Sequence, residues 1–311
     1  MRKILVMVNP ISGRGRGEKS IPLIEGILGG SGLEHSLVRT ERPWHAAEIA
    51  RKAALDRFDT VVAVGGDGTV NEALNGLMTA KAEGAGGTAL GVLCVGRGND
   101  FAFGTGIPLN MEEGCRALAG DFRRRIDIGK VTGGLYPSGR FFGNGVGIGF
   151  DAVVGFEALK MKRLKGFASY AVAAVKTVSL YDNPPVVRIE CDGNDWTQPA
   201  LMVSLMNGRR MGGGFLMAPD GDPGDGSLNY CIAGRVGKRR IFPLILRFMK
   251  GSQMSHPAIR AGLFRRMKVR ALEGALPAHA DGETLCVDGA ELLIEVLPSQ
   301  LDVIIPRPEG S

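Results

Sequence analysis

Over the first third of the chain, short runs of consecutive apolar residues alternate with stretches whose apolar positions recur every three or four residues. The runs at 4–8, 34–38, 60–64 and 90–95 predict strands, and the periodic stretches at 18–28, 44–58, 69–80 and 111–119 predict helices. Strands separated by helices in this way make parallel βαβ units with right-handed crossovers. Pro43, just ahead of Trp44, His45 and Ala46, marks a helix start, because its ring presets φ where a first-turn N–H has no helical partner anyway.

After about residue 125 the texture changes. Runs at 141–150, 186–190, 200–206, 228–232, 267–271, 284–287, 292–296 and 301–305 read as strands, with Gly, Asp and Pro between them, and one helical stretch at 154–180 interrupts them. That pattern predicts an antiparallel, sandwich-like second domain. The boundary falls near 121–128, dividing an α/β domain (1–125) from a β-rich domain (126–311). No low-complexity linker marks it, so the two domains are expected to pack over a shared cleft. There is no internal repeat.

Composition narrows the class. Of 311 residues, 44% are apolar and 23% charged, which is ordinary globular usage and excludes wholesale disorder. The 47 glycines follow no three-residue period, so they serve turns and close backbone approaches rather than a collagen helix. Cys94, Cys115, Cys191, Cys231 and Cys286 lie far apart with no C-x-x-C pair, which excludes a zinc ribbon and predicts reduced, buried thiols in a cytosolic protein. The apolar run after Met1-Arg2-Lys3 stops at Asn9-Pro10, shorter than the roughly 7–15 residues of a signal peptide core. No window approaches the roughly 18 apolar residues of a membrane span, so a soluble protein, or one peripheral at the inner membrane face, is expected.

The net charge of +6 is unevenly distributed. Between Arg235 and Arg270 there are eleven Lys or Arg and no acidic residue, while the rest of the chain holds 27 basic against 32 acidic residues. The segment mixes its charges with Ile241, Phe242, Leu244, Ile245, Leu246, Phe248, Met249, Leu263 and Phe264, a composition suited to an anionic lipid surface. Arg235, Lys238, Arg239, Arg240, Arg247 and Lys250 are the expected contacts, with Phe242, Leu246 and Phe248 available to enter the headgroup boundary. The competing reading is a solvated face beside a core-facing stripe. Nucleic acid is not expected, since only 6% of residues are aromatic and stacking platforms are scarce.

Three loops carry candidate chemistry. Asn9-Pro10-Ile11-Ser12-Gly13-Arg14-Gly15-Arg16-Gly17 follows the first strand, and its glycines let backbone N–H groups approach a phosphate. It lacks the G-K-[ST] ending of a Walker A loop, and such a turn can also do nothing but turn. Gly65-Gly66-Asp67-Gly68-Thr69 sets one carboxylate among glycines at the C-terminal end of a parallel strand, where α/β folds bind ligands. Gly96-Arg97-Gly98-Asn99-Asp100-Phe101-Ala102 again follows a strand. His35, His45, His256 and His279 show no metal-ligand spacing. His279, two residues before Asp281, reads as a strand histidine or as one facing the site. Asp220, Asp222 and Asp225 resemble a calcium loop in composition but lack the EF-hand spacing.

With these elements in order the sequence resembles the diacylglycerol kinase catalytic-domain family, which includes bacterial lipid kinases and is related to sphingosine and ceramide kinases. The resemblance rests on the three loops above, on Gly212-Gly213-Gly214-Phe215 leading through Pro219 to Asp225-Gly226, and on Asp281-Gly282-Glu283. It implies a lipid kinase that takes ATP and Mg²⁺ and phosphorylates the hydroxyl of a diacylglycerol-like lipid, and it leaves a sphingoid base, ceramide or polyprenol open as substrate. It implies nucleotide contacts at Asn9, Pro10, Ile11, Ser12, Gly13, Thr40, Gly65, Gly66, Asp67, Gly68, Thr69, Val70, Asn71, Glu72, Gly98 and Asn99. Glu283 is the implied proton acceptor by the bacterial pattern, and Asp67 by the sphingosine kinase pattern. Asp222, Asp225 and Ser227 match a metal position. Arg97 departs from the family's usual Thr, and either pairs with a phosphate or faces solvent. A NAD kinase shares the G-G-D-G element, and a nucleotide-binding lipid sensor without turnover is the rival from another class. The sequence is silent on oligomeric state.

Overall fold

The computed structural model describes residues 2–160, 167–180 and 184–308. Its chain divides into two units, 1–128 with 298–311 and 129–297.

The first unit contains β1 (Ile4–Val8), α1 (Ser12–Lys19), α2 (Ile21–Gly30), β2 (His35–Arg39), α3 (His45–Leu55), β3 (Thr60–Gly65), α4 (Asp67–Ala82), β4 (Ala89–Cys94), α5 (Asp100–Thr105) and α6 (Met111–Gly120). Strands β2, β1, β3 and β4 pair in parallel, with Ile4 opposite His35 and Thr60, and Thr60 opposite Ala89. Every residue of β3 and β4 is buried, as strands covered on both faces must be. On one face Ile21, Ile24 and Leu28 of α2 and Cys115 and Leu118 of α6 pack with Val6, Val8, Val62, Val64 and Leu93. Elsewhere α3 and α4 approach so closely that a Cβ on Gly76 would lie 2.2 Å from the Ala47 carbonyl oxygen.

The second unit begins within β5 (Arg123–Gly133) and continues through β6 (Tyr136–Phe142), β7 (Gly145–Gly149), α7 (Phe150–Lys160), α8 (Phe167–Leu180), β8 (Val186–Cys191), β9 (Asn194–Met206), β10 (Leu228–Gly234), α9 (Lys238–Lys250), β11 (Ile259–Phe264), β12 (Arg266–Glu273), β13 (Leu276–Ala280), β14 (Glu283–Gly289) and β15 (Glu291–Ile304). It is antiparallel. The first half of β9 pairs with β8, which continues through β12 to β15, and its second half pairs with β7 and β10. Side chains alternate across β9 as the pleat requires. Val203 and Leu205 enter a core with Ile189, Val269, Ile294 and Ile148, whereas Met202 and Met206 face a second core capped by Val154, Ala174, Ile241 and Phe248 from the three helices.

Several expectations are corrected. The run at 141–150 is not one strand: β6 ends at Phe142, β7 begins at Gly145 and Phe150 opens α7. The Gly143, Asn144 and Gly145 N–H groups donate to the Asp281 carboxylate, so a side chain replaces the ladder there. The runs at 292–296 and 301–305 are one strand, β15, whose C-terminal part pairs in parallel with β4 at Val303 and Leu90. Residues 298–311 therefore group with the first unit, although they follow the second in sequence. The helical stretch at 154–180 is two helices, α7 and α8, and residues 161–166 lie outside those described.

Glu157 ties α7 to α8. Lys160 Nζ and Lys176 Nζ each donate to its carboxylate at 2.6 Å, which lowers its pKa to about 2 from an ordinary 4.5. A carboxylate held low in the folded state stabilises above its unfolded pKa and loses that contribution as pH falls through the folded one. Thermal melting of the wild-type protein is therefore expected to fall more steeply between about pH 4.5 and 2 than that of Glu157→Gln. Parallel pH profiles would show that the clip contributes nothing.

Candidate functional site

The three glycine-rich loops of the first unit meet. Gly13, Arg14 and Gly15 take left-handed φ of 59°, 64° and 82°, so the start of α1 is a turn rather than a helix. Gly13 lies so close to β4 that a Cβ would stand 2.2 Å from the Val95 carbonyl oxygen. The Asn9 side chain donates to Thr69 Oγ1 at 2.9 Å, and its backbone N–H donates to the Val64 carbonyl. Gly96 packs on Gly66, where a Cβ would fall 2.5 Å from the Gly66 Cα.

Asp67 lies within this cluster, opening α4. One of its oxygens accepts the Phe101 N–H at 3.1 Å, and the other lies 2.9 Å from where a Gly98 Cβ would be. Its charge, together with burial as the larger effect, pushes the Cys94 thiol up to about 12. The N-cap of α4 is Gly66, which supplies no side-chain cap, so the first-turn N–H groups and the positive end of a 16-residue helix suit an anion. Gly15 and Gly68 leave open space where a side chain would be, and Arg14, Arg16 and Arg97 are exposed on two of the loops.

The other expected nucleotide contacts differ in access. Pro10, Ser12, Gly13, Gly98 and Asn99 are half-buried, and Ile11 is exposed. Gly65, Thr69, Val70, Asn71 and Thr40 are buried. Thr40 donates its N–H to the Val8 carbonyl at 2.8 Å. The Glu72 carboxylate accepts the Ala46 N–H at 3.2 Å, at the first turn of α3.

In the second unit the D-G-E motif occupies the β13–β14 turn, with Asp281 at φ 48° and Gly282 at φ 86°. Asp281 accepts three backbone N–H groups, from Gly143 at 2.8 Å, Asn144 at 3.1 Å and Gly145 at 2.8 Å, and so fixes the turn that presents Glu283. Glu283 is exposed at the first position of β14. Asn207 joins the same group by donating its side-chain amide to the Gly143 carbonyl. The sequence reading passed over the positioning roles of Asp281, Asn144 and Asn207; the glycine-rich run from Gly143 to Gly149 was the available signal.

The turn at 222–227 has Asp222 accepting the Gly224 N–H and Asp225 accepting the Ser227 N–H, each at 2.9 Å. Its donors are all oxygen, as Mg²⁺ prefers. Among the described residues no group of three or more His, Cys, Asp or Glu is placed to hold a metal ion.

The basic segment divides. Lys268 and Arg270 pair with Glu291, Arg266 pairs with Glu295, and Arg260 stacks over Trp196. On α9, Lys238, Arg239, Arg240 and Lys250 are exposed alongside Phe242, Leu246 and Met249. Two expected contacts are corrected: Phe248 is buried among the helix-layer residues, and Arg247 is half-buried, donating to Ser255 Oγ at 2.9 Å. No helix among the described residues is long and apolar enough to cross a membrane. All five cysteines are free and buried.

Comparison with known proteins adds to this geometry. Residues 3–131 match the diacylglycerol kinase catalytic domain, and residues 144–305 match the YegS C-terminal NAD kinase beta sandwich-like domain. The chain is 29% identical over 286 residues to a diacylglycerol kinase of Bacillus subtilis (strain 168), covering 91% of this chain and 90% of that protein. It is 26% identical over 309 residues to a diacylglycerol kinase of Mycobacterium tuberculosis (strain ATCC 25618 / H37Rv), covering 98% and 96%. A crystal structure of a diacylglycerol kinase from Bacillus anthracis str. Sterne superposes with a TM-score of 0.74 at 20% identity, covering 98% of this chain and 97% of that one. A yeast NADH kinase complexed with NADH shares the fold more distantly, with a TM-score of 0.51 at 12% identity over 99% of this chain and 84% of that one. Matched in both its parallel α/β unit and its antiparallel unit, the chain belongs to the diacylglycerol kinase family of the bacterial, YegS type.

Proposed function

We propose that the protein is an ATP- and Mg²⁺-dependent lipid kinase that phosphorylates the hydroxyl of a diacylglycerol-like lipid while bound to an anionic membrane surface. The observation that carries this reading is the meeting of three glycine-rich loops at the uncapped N-terminus of α4, with Asp67 among them. Phosphoryl transfer needs positioned phosphates, cations and one group to orient the attacking hydroxyl, and no covalent intermediate on the protein. The loops at 9–13, 65–69 and 96–99 would hold the nucleotide phosphates, and Glu283 would accept the hydroxyl proton. Asp222, Asp225 and the backbone at Ser227 would hold the cation, which when bound offsets charge on the transferred group.

The deciding experiment is incubation of the purified protein with labelled ATP and Mg²⁺ and, separately, with diacylglycerol, a sphingoid base, ceramide, a polyprenol and NAD. Label is expected in a lipid. Label in NAD alone would establish the rival enzyme, and label in none would leave a binding protein without turnover.

Two further outcomes follow. Asp225→Ala is expected to raise the Mg²⁺ concentration needed for half-maximal activity, and an unchanged Mg²⁺ titration would remove this turn from the site. The membrane reading places α9 on the bilayer, where each Lys or Arg near the surface contributes about 1 kcal/mol. Replacing Lys238, Arg239 and Arg240 with Glu should therefore weaken sedimentation with phosphatidylserine-containing vesicles by about 100-fold or more. Equal binding to neutral and anionic vesicles would sink this docking face while leaving the kinase reading intact.

A further inference from the structure

The arginines of the first unit differ in what they hold. Arg39, Arg42, Arg51, Arg116 and Arg125 each reach a carboxylate within 3.2 Å. Arg14, Arg16 and Arg97, all on the glycine-rich loops, are exposed and pair with no carboxylate among the described residues. For Arg97 this is not for want of a carboxylate nearby. A Cβ on its neighbour Gly98 would stand 2.9 Å from Asp67 Oδ2 and 3.6 Å from Asp100 Oδ2, yet the guanidinium bonds to neither. Its fork of N–H donors is left open to solvent or to a ligand.

Arg14 stands in the left-handed region at φ 64° and ψ 47°, between two glycines that are also left-handed. Glycine takes that backbone freely and arginine does not, and strain of this kind collects where a ligand is held. The loops of the two arginines adjoin, because a Cβ on Gly13 would stand 2.2 Å from the Val95 carbonyl oxygen. Gly66, the N-cap of α4, closes the gap between them: a Cβ there would lie 3.1 Å from Gly96 Cα and 3.9 Å from Ser12 Oγ.

We propose that Arg97, with Arg14 on the adjoining loop, clamps the polyphosphate tail of the nucleotide and makes the site selective for tri- and diphosphates over monophosphates. The start of α4 offers about half a unit of positive charge, too little to balance a polyphosphate. Asp67 and Asp100 add negative charge beside it. Two guanidinium groups on the same loops offset that charge, and each presents a planar fork that matches phosphate oxygens two at a time. The inference rests on the nucleotide-binding part of the reading above and deepens it, by naming the residues that sense the length of the phosphate chain.

The test is isothermal titration of the whole protein, with Mg²⁺ and without lipid, against the β,γ-imido analogue of ATP, ADP and AMP. Wild-type protein is expected to bind the analogue at least about 10-fold more tightly than AMP. Arg97→Ala, checked by circular dichroism, should weaken the analogue by about 10- to 100-fold, the range of a hydrogen bond to a charged group, and leave AMP unchanged. Arg97→Lys should recover only part of the loss, because an ammonium is a point charge without the fork. Arg14→Ala should act in the same direction, whereas Arg116→Ala, which removes an equal charge from α6, should change nothing. Wild-type affinities for the analogue and AMP within threefold of each other, or Arg97→Ala within threefold of wild type for the analogue, would overturn the proposal. A preference that Arg97→Ala abolishes, in a protein that labels no lipid, sustains the clamp and sinks the kinase reading. Lipid labelling by Arg97→Ala with an unchanged KM for ATP does the reverse.

Discussion

Replacing Glu283 with Gln is expected to lower lipid phosphorylation by about 10² to 10⁴, the usual cost of losing a general base, with no change in melting temperature. Glu283 is exposed at the start of β14, so its removal should leave packing untouched. Asp67→Asn is expected to reduce turnover over a similar range but also to lower stability by about 1 kcal/mol, because its carboxylate accepts the Phe101 N–H and joins two loops. The pair of measurements separates roles that the family resemblance left joined: loss of activity without loss of stability marks the proton acceptor. If folded Glu283→Gln works at the wild-type rate while Asp67→Asn does not, the assignment passes to Asp67.

Asp281→Ala is expected to cost about 3–5 kcal/mol and to lower the melting temperature by on the order of 10 °C. The substitution strands the N–H groups of Gly143, Asn144 and Gly145, and it removes the contact that holds the turn carrying Glu283. Activity should fall with it even at temperatures where the variant is fully folded. Asp281→Asn, which keeps an acceptor oxygen and tolerates the positive φ at this position, should recover part of the stability. An alanine variant melting within about 2 °C of wild type would mean that other groups hold the 143–145 loop.

Much of the first unit was legible because its signals are local. Residues 60–64 and 90–95 are continuous apolar runs, and such runs in a βαβ rhythm become fully buried parallel strands, as β3 and β4 are. The loop glycines were legible too, since φ values such as those of Gly13 and Gly15 suit glycine best. The second unit was harder. There α9 was hidden because a charge-rich stretch with scattered apolar residues admits either a solvated or a docking face, just as in the first unit the six-residue α5 carries less than two turns of periodicity.

By itself the sequence determined the alternation of parallel and antiparallel segments, the three glycine-rich loops and the family, because each is written in neighbouring residues whose backbone preferences do not depend on distant partners. Only the tertiary structure decided where charges and polar groups end up. It neutralises Arg266, Lys268 and Arg270 against Glu291 and Glu295 while leaving Lys238, Arg239, Arg240 and Lys250 of α9 exposed, and it buries Phe248 but not Phe242. It brings Asp281 to a loop 136 residues earlier in the chain and sets His279 beside Asp151 at the edge of an apolar cavity. Those pairings depend on strand register and on which face of the pleat a residue occupies, and both are fixed by packing between segments far apart in sequence.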